Sequence, residues 1–113
     1  PREFRPLTNW QIWGYRGIER NMVIKYFAFY RNFAGRKEES LLLAPLSAID
    51  LLKELSRIHG RALEKELLTE DGNEINPNVI FLINGRNIDF LAGKDSIADS
   101  DAVVSLFPRI AGG

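Results

Sequence analysis

Hydrophobic and polar residues alternate along several short stretches of this chain, as they do in β-strands. Residues 23–30 (VIKYFAFY) are rich in β-branched and aromatic side chains, and residues 39–44 (ESLLLA) form a second apolar stretch. The segment between them contains Asn32 and Gly35, two residue types that favour turns. The pattern therefore predicts that the two stretches pair as a β-hairpin.

The spacing of apolar residues becomes helical between residues 46 and 60. Ser47 and Asp50 have the arrangement of a capping box at a helix start, and Gly60 is typical of a helix end. The apolar positions between them are Ile49, Leu51, Leu52, Leu55 and Ile58. This stretch predicts the main helix of the fold, and residues 61–68 (RALEKELL) predict a second, shorter helical piece.

The remainder of the chain again favours strands. Turn-forming residues fill 69–78, a strand is predicted over 79–84, and Asn84 to Arg86 turn into a short extended piece at 87–90. A loop at 92–101 precedes the last predicted strand at 102–107. A final strand inserted beside the first would complete a mixed sheet with one main helix packed on one face, so the predicted fold class is α+β.

The predicted strands have more apolar surface than one helix can cover. Side chains of the first strand alternate between two rows: Ile24, Tyr26, Ala28 and Tyr30, and Lys25, Phe27, Phe29 and Arg31. We expect the row with Lys25 and Arg31 to face outward. Phe27, Phe29 and Phe107 would then form an uncovered patch that binds a partner, and Phe81 is assigned to the same interface.

Two other interpretations of this apolar surface remain open at this stage. The strands could be buried on both faces. Alternatively, Trp10 and Trp13 could fold back over the sheet as a lid or a domain-swapped clasp. These tryptophans belong to residues 1–21, which lack helical or alternating periodicity and are interpreted as an N-terminal extension. The extension is either a mobile or expression-derived segment or part of a longer natural chain, and the domain itself is predicted over 22–113.

Composition and charge exclude several classes of function. The chain has 113 residues with 15 basic and 15 acidic side chains, so no overall charge favours nucleic acid or anionic lipid. The chain has no cysteine, which argues against disulfides, thiolate metal sites and thiol nucleophiles. Its one histidine is His59. His59 is predicted to be a structural residue at the helix end. No apolar run is long enough for a membrane span, and a cytoplasmic location is expected.

Three segments of the chain resemble the MoaD/ThiS sulfur-carrier family, which has the ubiquitin-like β-grasp fold. Residues 25–35 (KYFAFYRNFAG) are similar to its opening strand and turn, and residues 79–86 (VIFLINGR) to a later strand that ends in Asn-Gly. The most specific similarity is residues 97–113 (IADSDAVVSLFPRIAGG), in which Leu-Phe-Pro precedes a diglycine. This last feature resembles MoaD, the small subunit of molybdopterin synthase, more than ThiS.

The resemblance implies that the chain is not an enzyme by itself but a carrier of sulfur on its C-terminal end. In such a protein a separate, MoeB-like activating enzyme that uses ATP and magnesium would adenylate Gly113 and convert it to a thiocarboxylate. Gly112 and Gly113 have no side chains that would hinder entry into an active site. Pro108 is predicted to end the last strand, so that residues 108–113 leave the sheet as an arm of roughly 20 Å. Its partner-contacting residues would be Pro108, Arg109, Ile110 and Ala111.

The acceptor of the activated group is left open by the resemblance. The first alternative is a molybdopterin precursor held by a large, MoaE-like synthase subunit. The second is a lysine of a target protein, as in archaeal ubiquitin-like modifiers, and the third is an inert β-grasp module with no activation at all. The family often has Asp-Gly-Asp where this chain has Asp99-Ser100-Asp101, and a proline where it has Arg109. No cofactor is expected to bind to the chain itself.

Overall fold

The computed structural model describes residues 21–109, which form a mixed five-stranded sheet with helices on one face. The main strands are β1 (Met22–Tyr26), β2 (Glu38–Leu41), β4 (Val79–Ile83), β5 (Arg86–Asn87) and β7 (Val103–Pro108). The helices are α1 (Tyr30–Ala34), α2 (Ala48–His59) and α3 (Arg61–Leu67). Two short strands, β3 (Leu46–Ser47) and β6 (Ile97–Ala98), form a separate antiparallel pair, and two 3₁₀ turns, Ile88–Phe90 and Gly93–Asp95, precede β6.

The strand order β2-β1-β7-β4-β5 confirms that the last strand is inserted beside the first. Strands β1 and β7 are parallel, with Ile24 opposite Val104 and Tyr26 opposite Leu106. Strand β7 also pairs antiparallel with β4, which makes it the central strand. The α+β class predicted from the element order is therefore correct. Strand β7 has two strands on each side of it, so its C-terminal end lies between the ends of β1 and β4.

Helix α2 forms where the sequence predicted it because its start, stop and apolar face agree. The hydroxyl of Ser47 accepts a hydrogen bond from the backbone N–H of Asp50 at 3.2 Å, which caps the first turn. Gly60, with φ of 102°, ends the helix. Leu51, Leu52 and Leu55 are fully buried against the inner face of the sheet. This packing leaves the opposite face of the sheet without a helix among the described residues.

The first strand is shorter than predicted, and the prediction of extended structure over 27–30 is wrong. The chain leaves the sheet after Tyr26, Ala28 adopts a positive φ of 54°, and α1 begins at Tyr30. Tyr26 and Tyr30 are both buried. Their separation of four residues fits the helical period as well as strand alternation, so the buried positions alone did not distinguish the two structures.

Several other boundaries differ from the sequence prediction. The hairpin partner β2 covers 38–41 rather than 39–44, and the piece predicted at 87–90 is mostly a 3₁₀ turn. The Asn84–Gly85 turn is confirmed, since both residues have positive φ, 51° and 83°, as the tight turn between β4 and β5 requires.

No helix in the described part of the chain is long and apolar enough to cross a membrane.

Candidate functional site

The uncovered face of the sheet carries a row of apolar side chains that ends where β7 leaves the sheet. Strand pairing brings Val23, Val103, Ile80 and Leu82 to this face, all half-buried or exposed. Lys25 lies beside Ser105 on the same face, and Glu38 of β2 lies opposite Lys25. The expectation that the Lys25 row faces outward agrees with this geometry, because Ile24 and Tyr26, the alternate residues, are fully buried.

Phe27 and Phe107 form the aromatic centre of this face. Their rings stack with a centroid distance of 4.2 Å and an interplanar angle of 5°. The guanidinium of Arg31 lies 5.5 Å from the centre of the Phe27 ring, and its Nε donates a hydrogen bond of 2.9 Å to the carbonyl oxygen of Tyr26. This hydrogen bond holds a cation over one ring of the stack, so the three side chains form one ordered surface.

Two other phenylalanines predicted for this interface lie elsewhere. Phe81 is 1% exposed and belongs to the core, because it faces the same side of the sheet as Leu106, its partner in β7. A partner that binds the outer face cannot contact it. Phe29 is 48% exposed, but its ring contacts Tyr30 and Phe33 rather than the stacked pair. The chain turns away from the sheet at Ala28, which explains why Phe29 does not continue the Phe27 row.

Strand β7 continues slightly beyond the point where Pro108 was expected to release the arm. Pro108 is buried and is the last residue of the strand, opposite Val79, and the N–H of Arg109 still donates to the carbonyl of Asn78 at 2.6 Å. Alternation directs the nitrogen of Pro108 toward the β1 side, where β1 has already turned away after Phe27. The missing N–H therefore costs no ladder bond.

Arg109 is exposed at the end of the described chain. Its Nε lies 3.3 Å from the carbonyl oxygen of Pro77, to which it donates, so the side chain crosses toward the segment before β4. Ile110, Ala111, Gly112 and Gly113, the other predicted residues of the arm, lie outside the described residues. The extension at 1–20, with Trp10 and Trp13, also lies outside them. The contact roles assigned to these residues stay predictions.

A buried polar cluster on the inner side of the sheet was missed by the sequence analysis. Glu39 of β2 accepts a hydrogen bond of 2.6 Å from the hydroxyl of Tyr26, and its Oε2 lies 2.6 Å from Nε2 of His59. The side chains of Glu39 and His59 are 6% and 10% exposed. Burial, and then the hydrogen bond to Glu39, raises the pKa of Tyr26 above its usual range. His59 is therefore at the helix end, as predicted, but its side chain binds a carboxylate.

The sequence alone does not reveal this cluster, because the register of the hairpin decides which residues of β2 point to the core. In the hairpin register, Glu39 lies opposite Ile24 and so points to the core, whereas Glu38 and Ser40 point outward. A carboxylate at an inward position requires a donor, and Tyr26 and His59 supply it. Among residues 21–109 no group of three or more acidic or histidine side chains could hold a metal ion. The cluster joins β1, β2 and α2.

Comparison with known proteins places this geometry in a family. The family model described as ThiS matches residues 24–113. A protein from Archaeoglobus fulgidus that carries the name sulfur carrier protein is 38% identical over 68 residues, which cover 60% of this chain and 75% of that protein. Small archaeal modifier protein 3 from Haloferax volcanii is 32% identical over 91 residues, covering 80% of this chain and 96% of the relative.

The fold is also that of solved structures with related sequences. A structure from Pyrococcus furiosus that carries the name molybdopterin converting factor subunit 1 superposes with a TM-score of 0.63 at 26% identity, covering 81% of this chain and all of the other. The strand order with β7 at the centre agrees with the ubiquitin-like β-grasp fold, and the family model matches the chain as far as residue 113. The chain therefore belongs to the ThiS family, in which relatives named as sulfur carriers and as ubiquitin-like modifiers share one architecture.

Proposed function

We propose that this chain carries sulfur as a thiocarboxylate on Gly113. The observation that supports this proposal best is the position of β7. It is the central strand, it ends beside the open Phe27–Phe107 stack, and four residues after Arg109 the sequence reaches Gly113. An enzyme that docks on the outer face would therefore stand next to the chain segment it has to modify.

The chemistry requires an activated carboxylate, because a free carboxylate is a poor electrophile. The Gly113 carboxylate attacks the α-phosphorus of ATP, forming an acyl-adenylate and releasing pyrophosphate. A hydrosulfide then attacks the glycine carbonyl carbon and expels AMP, which leaves the thiocarboxylate. ATP and magnesium bind to the activating enzyme in this scheme, and this chain supplies the docking face and the carboxylate.

The thiocarboxylate would next deliver its sulfur to a molybdopterin precursor held by a large synthase subunit. The likeness to the Pyrococcus furiosus structure supports this acceptor. The thiocarboxylate sulfur attacks an electrophilic carbon of the precursor and displaces an oxygen leaving group from it. Water then hydrolyses the resulting acyl thioester, which leaves the sulfur on the precursor and returns Gly113 to a carboxylate. The carrier is then ready for another cycle, so it acts as a cosubstrate of the synthase and contributes no catalytic side chain of its own.

A second acceptor is favoured by a specific observation, the match to small archaeal modifier protein 3 over nearly all of that relative. In this alternative a lysine amine attacks the activated glycine carbonyl and expels the leaving group, forming an isopeptide bond. Activation is common to both functions, and only the nucleophile differs.

Intact-mass spectrometry distinguishes these functions. The chain is incubated with ATP, magnesium, sulfide and a MoeB-like activating enzyme, and we expect a mass gain equal to the exchange of one oxygen for sulfur. Addition of a large synthase subunit with its precursor should reverse that gain. Lysine-linked adducts in a cell extract would instead support the modifier, and a variant lacking Gly113 is the matched control. No mass change with any cognate activating enzyme would contradict both functions.

A further inference from the structure

Three basic side chains lie near the end of β7, although the formal net charge of the whole chain is zero. The guanidinium of Arg31 lies over the Phe27 ring. Lys25 is opposite Ser105, two residues before Phe107 in β7, and Arg109 follows Phe107 by two residues. Glu38, opposite Lys25 on β2, is an acidic residue of the same face. The chain has 15 basic and 15 acidic side chains in all, so the three basic residues, named here the basic rim, are a local feature.

The two arginines of the basic rim are held in place by backbone carbonyl groups. Arg31 donates from Nε to Tyr26 O at 2.9 Å, and Arg109 donates from Nε to Pro77 O at 3.3 Å. Each bond uses Nε, so the terminal guanidinium nitrogens keep donors for another molecule. Cations that are ordered before binding lose less conformational entropy when a carboxylate binds them.

We infer that the activating enzyme binds this surface through an apolar site edged by carboxylates, and that Arg31 and Arg109 determine this specificity. The inference rests on the proposed function and adds the chemistry of the partner. Stacked aromatic rings would supply most of the binding energy at the centre, and the arginines would select an acidic partner and speed association. The inference gives neither arginine a part in acyl transfer: Arg109 lies four residues before Gly113, and Arg31 lies in α1.

Charge reversal tests this inference in the thiocarboxylation assay. Arg31→Glu and Arg109→Glu should each raise KM for the carrier about threefold to tenfold, with kcat unchanged, because they weaken association and leave the glycine chemistry intact. Raising the salt concentration should increase KM of the unaltered chain and have less effect on the double variant. Arg86→Glu is the matched control, since Arg86 is exposed at the opposite end of the sheet and should not change KM.

The control measurements separate loss of charge from loss of fold. Arg31→Gln removes the charge without reversing it and should have an intermediate effect, and thermal unfolding of every variant should stay close to that of the unaltered chain. Equal KM for all variants, together with no salt dependence, would overturn the inference while thiocarboxylation itself proceeds. Absence of thiocarboxylation in the unaltered chain would instead overturn the proposed function.

Discussion

The two faces of the sheet both carry aromatic residues, but these residues are buried on one face and partly exposed on the other. On the inner face, Phe81 and Tyr26 are buried, and among residues 21–109 every buried side-chain nitrogen and oxygen atom has a hydrogen-bond partner. On the outer face, Phe27 and Phe107 stack on each other but stay partly exposed, and Arg31 lies over the Phe27 ring. Aromatic residues therefore stabilise the fold on one face and remain available to another molecule on the other. Strand alternation, one residue at a time, decides which role each side chain takes.

The largest expected effect is the loss of an inner-face aromatic residue. Phe81→Ala should lower the free energy of unfolding by about 3–5 kcal/mol, because it removes a buried ring and leaves a cavity. The matched outer-face variant, Phe107→Ala, should cost much less stability and instead raise KM for activation. Urea unfolding and the thiocarboxylation assay measure the two effects. Similar losses of stability for both variants would remove the distinction between the faces.

The buried polar cluster should give the next largest effect. Glu39→Ala should destabilise the fold by about 3 kcal/mol, because it leaves the Tyr26 hydroxyl and the His59 ring buried without their acceptor. Its neighbour Glu38 is exposed on the outer face, so Glu38→Ala is the matched control and should change stability by less than about 0.5 kcal/mol. Denaturant unfolding measures both, and equal values would mean that the cluster has no stabilising role.

Alkaline pH should reveal the inner-face tyrosines through a smaller effect. Burial raises the pKa of Tyr30 to about 12 and that of Tyr26 still further, from an ordinary value of 10.0. Above pH 10 the unfolded chain loses these protons while the folded chain keeps them, so stability present at lower pH declines as pH rises toward 12. The slope should reach about 1.4 kcal/mol per pH unit for each tyrosine.

The matched variants for this prediction are Tyr26→Phe and Tyr30→Phe. Each should reduce the slope of unfolding free energy against pH between 10 and 12, as measured by urea unfolding at a series of pH values. The double variant should show the smallest slope of unfolding free energy against pH. An unchanged slope in both single variants would show that other groups cause the alkaline loss.

Regular elements with consistent local signals were predictable from the sequence. Helix α2 has a capping serine, apolar residues at helical spacing and a terminal glycine, and all of these agree with the structure. The Asn84–Gly85 turn was predictable for the same reason, since both residues tolerate the positive φ that it requires. The segment at 27–30 was not, because its alternation suits a strand and a helix alike, and only packing against the core placed Tyr30 in α1.

The sequence by itself determined the main helix, the order of most elements along the chain and the diglycine-containing segment that resembles the family, because each depends on local residue types and spacing. Tertiary structure alone decided that Phe81 is buried while Phe107 is partly exposed, and that Glu39 meets Tyr26 and His59. These outcomes depend on the register between strands distant in sequence and on which face the helices cover. A shift of one residue would exchange the two faces, and no single strand contains the information that fixes this choice.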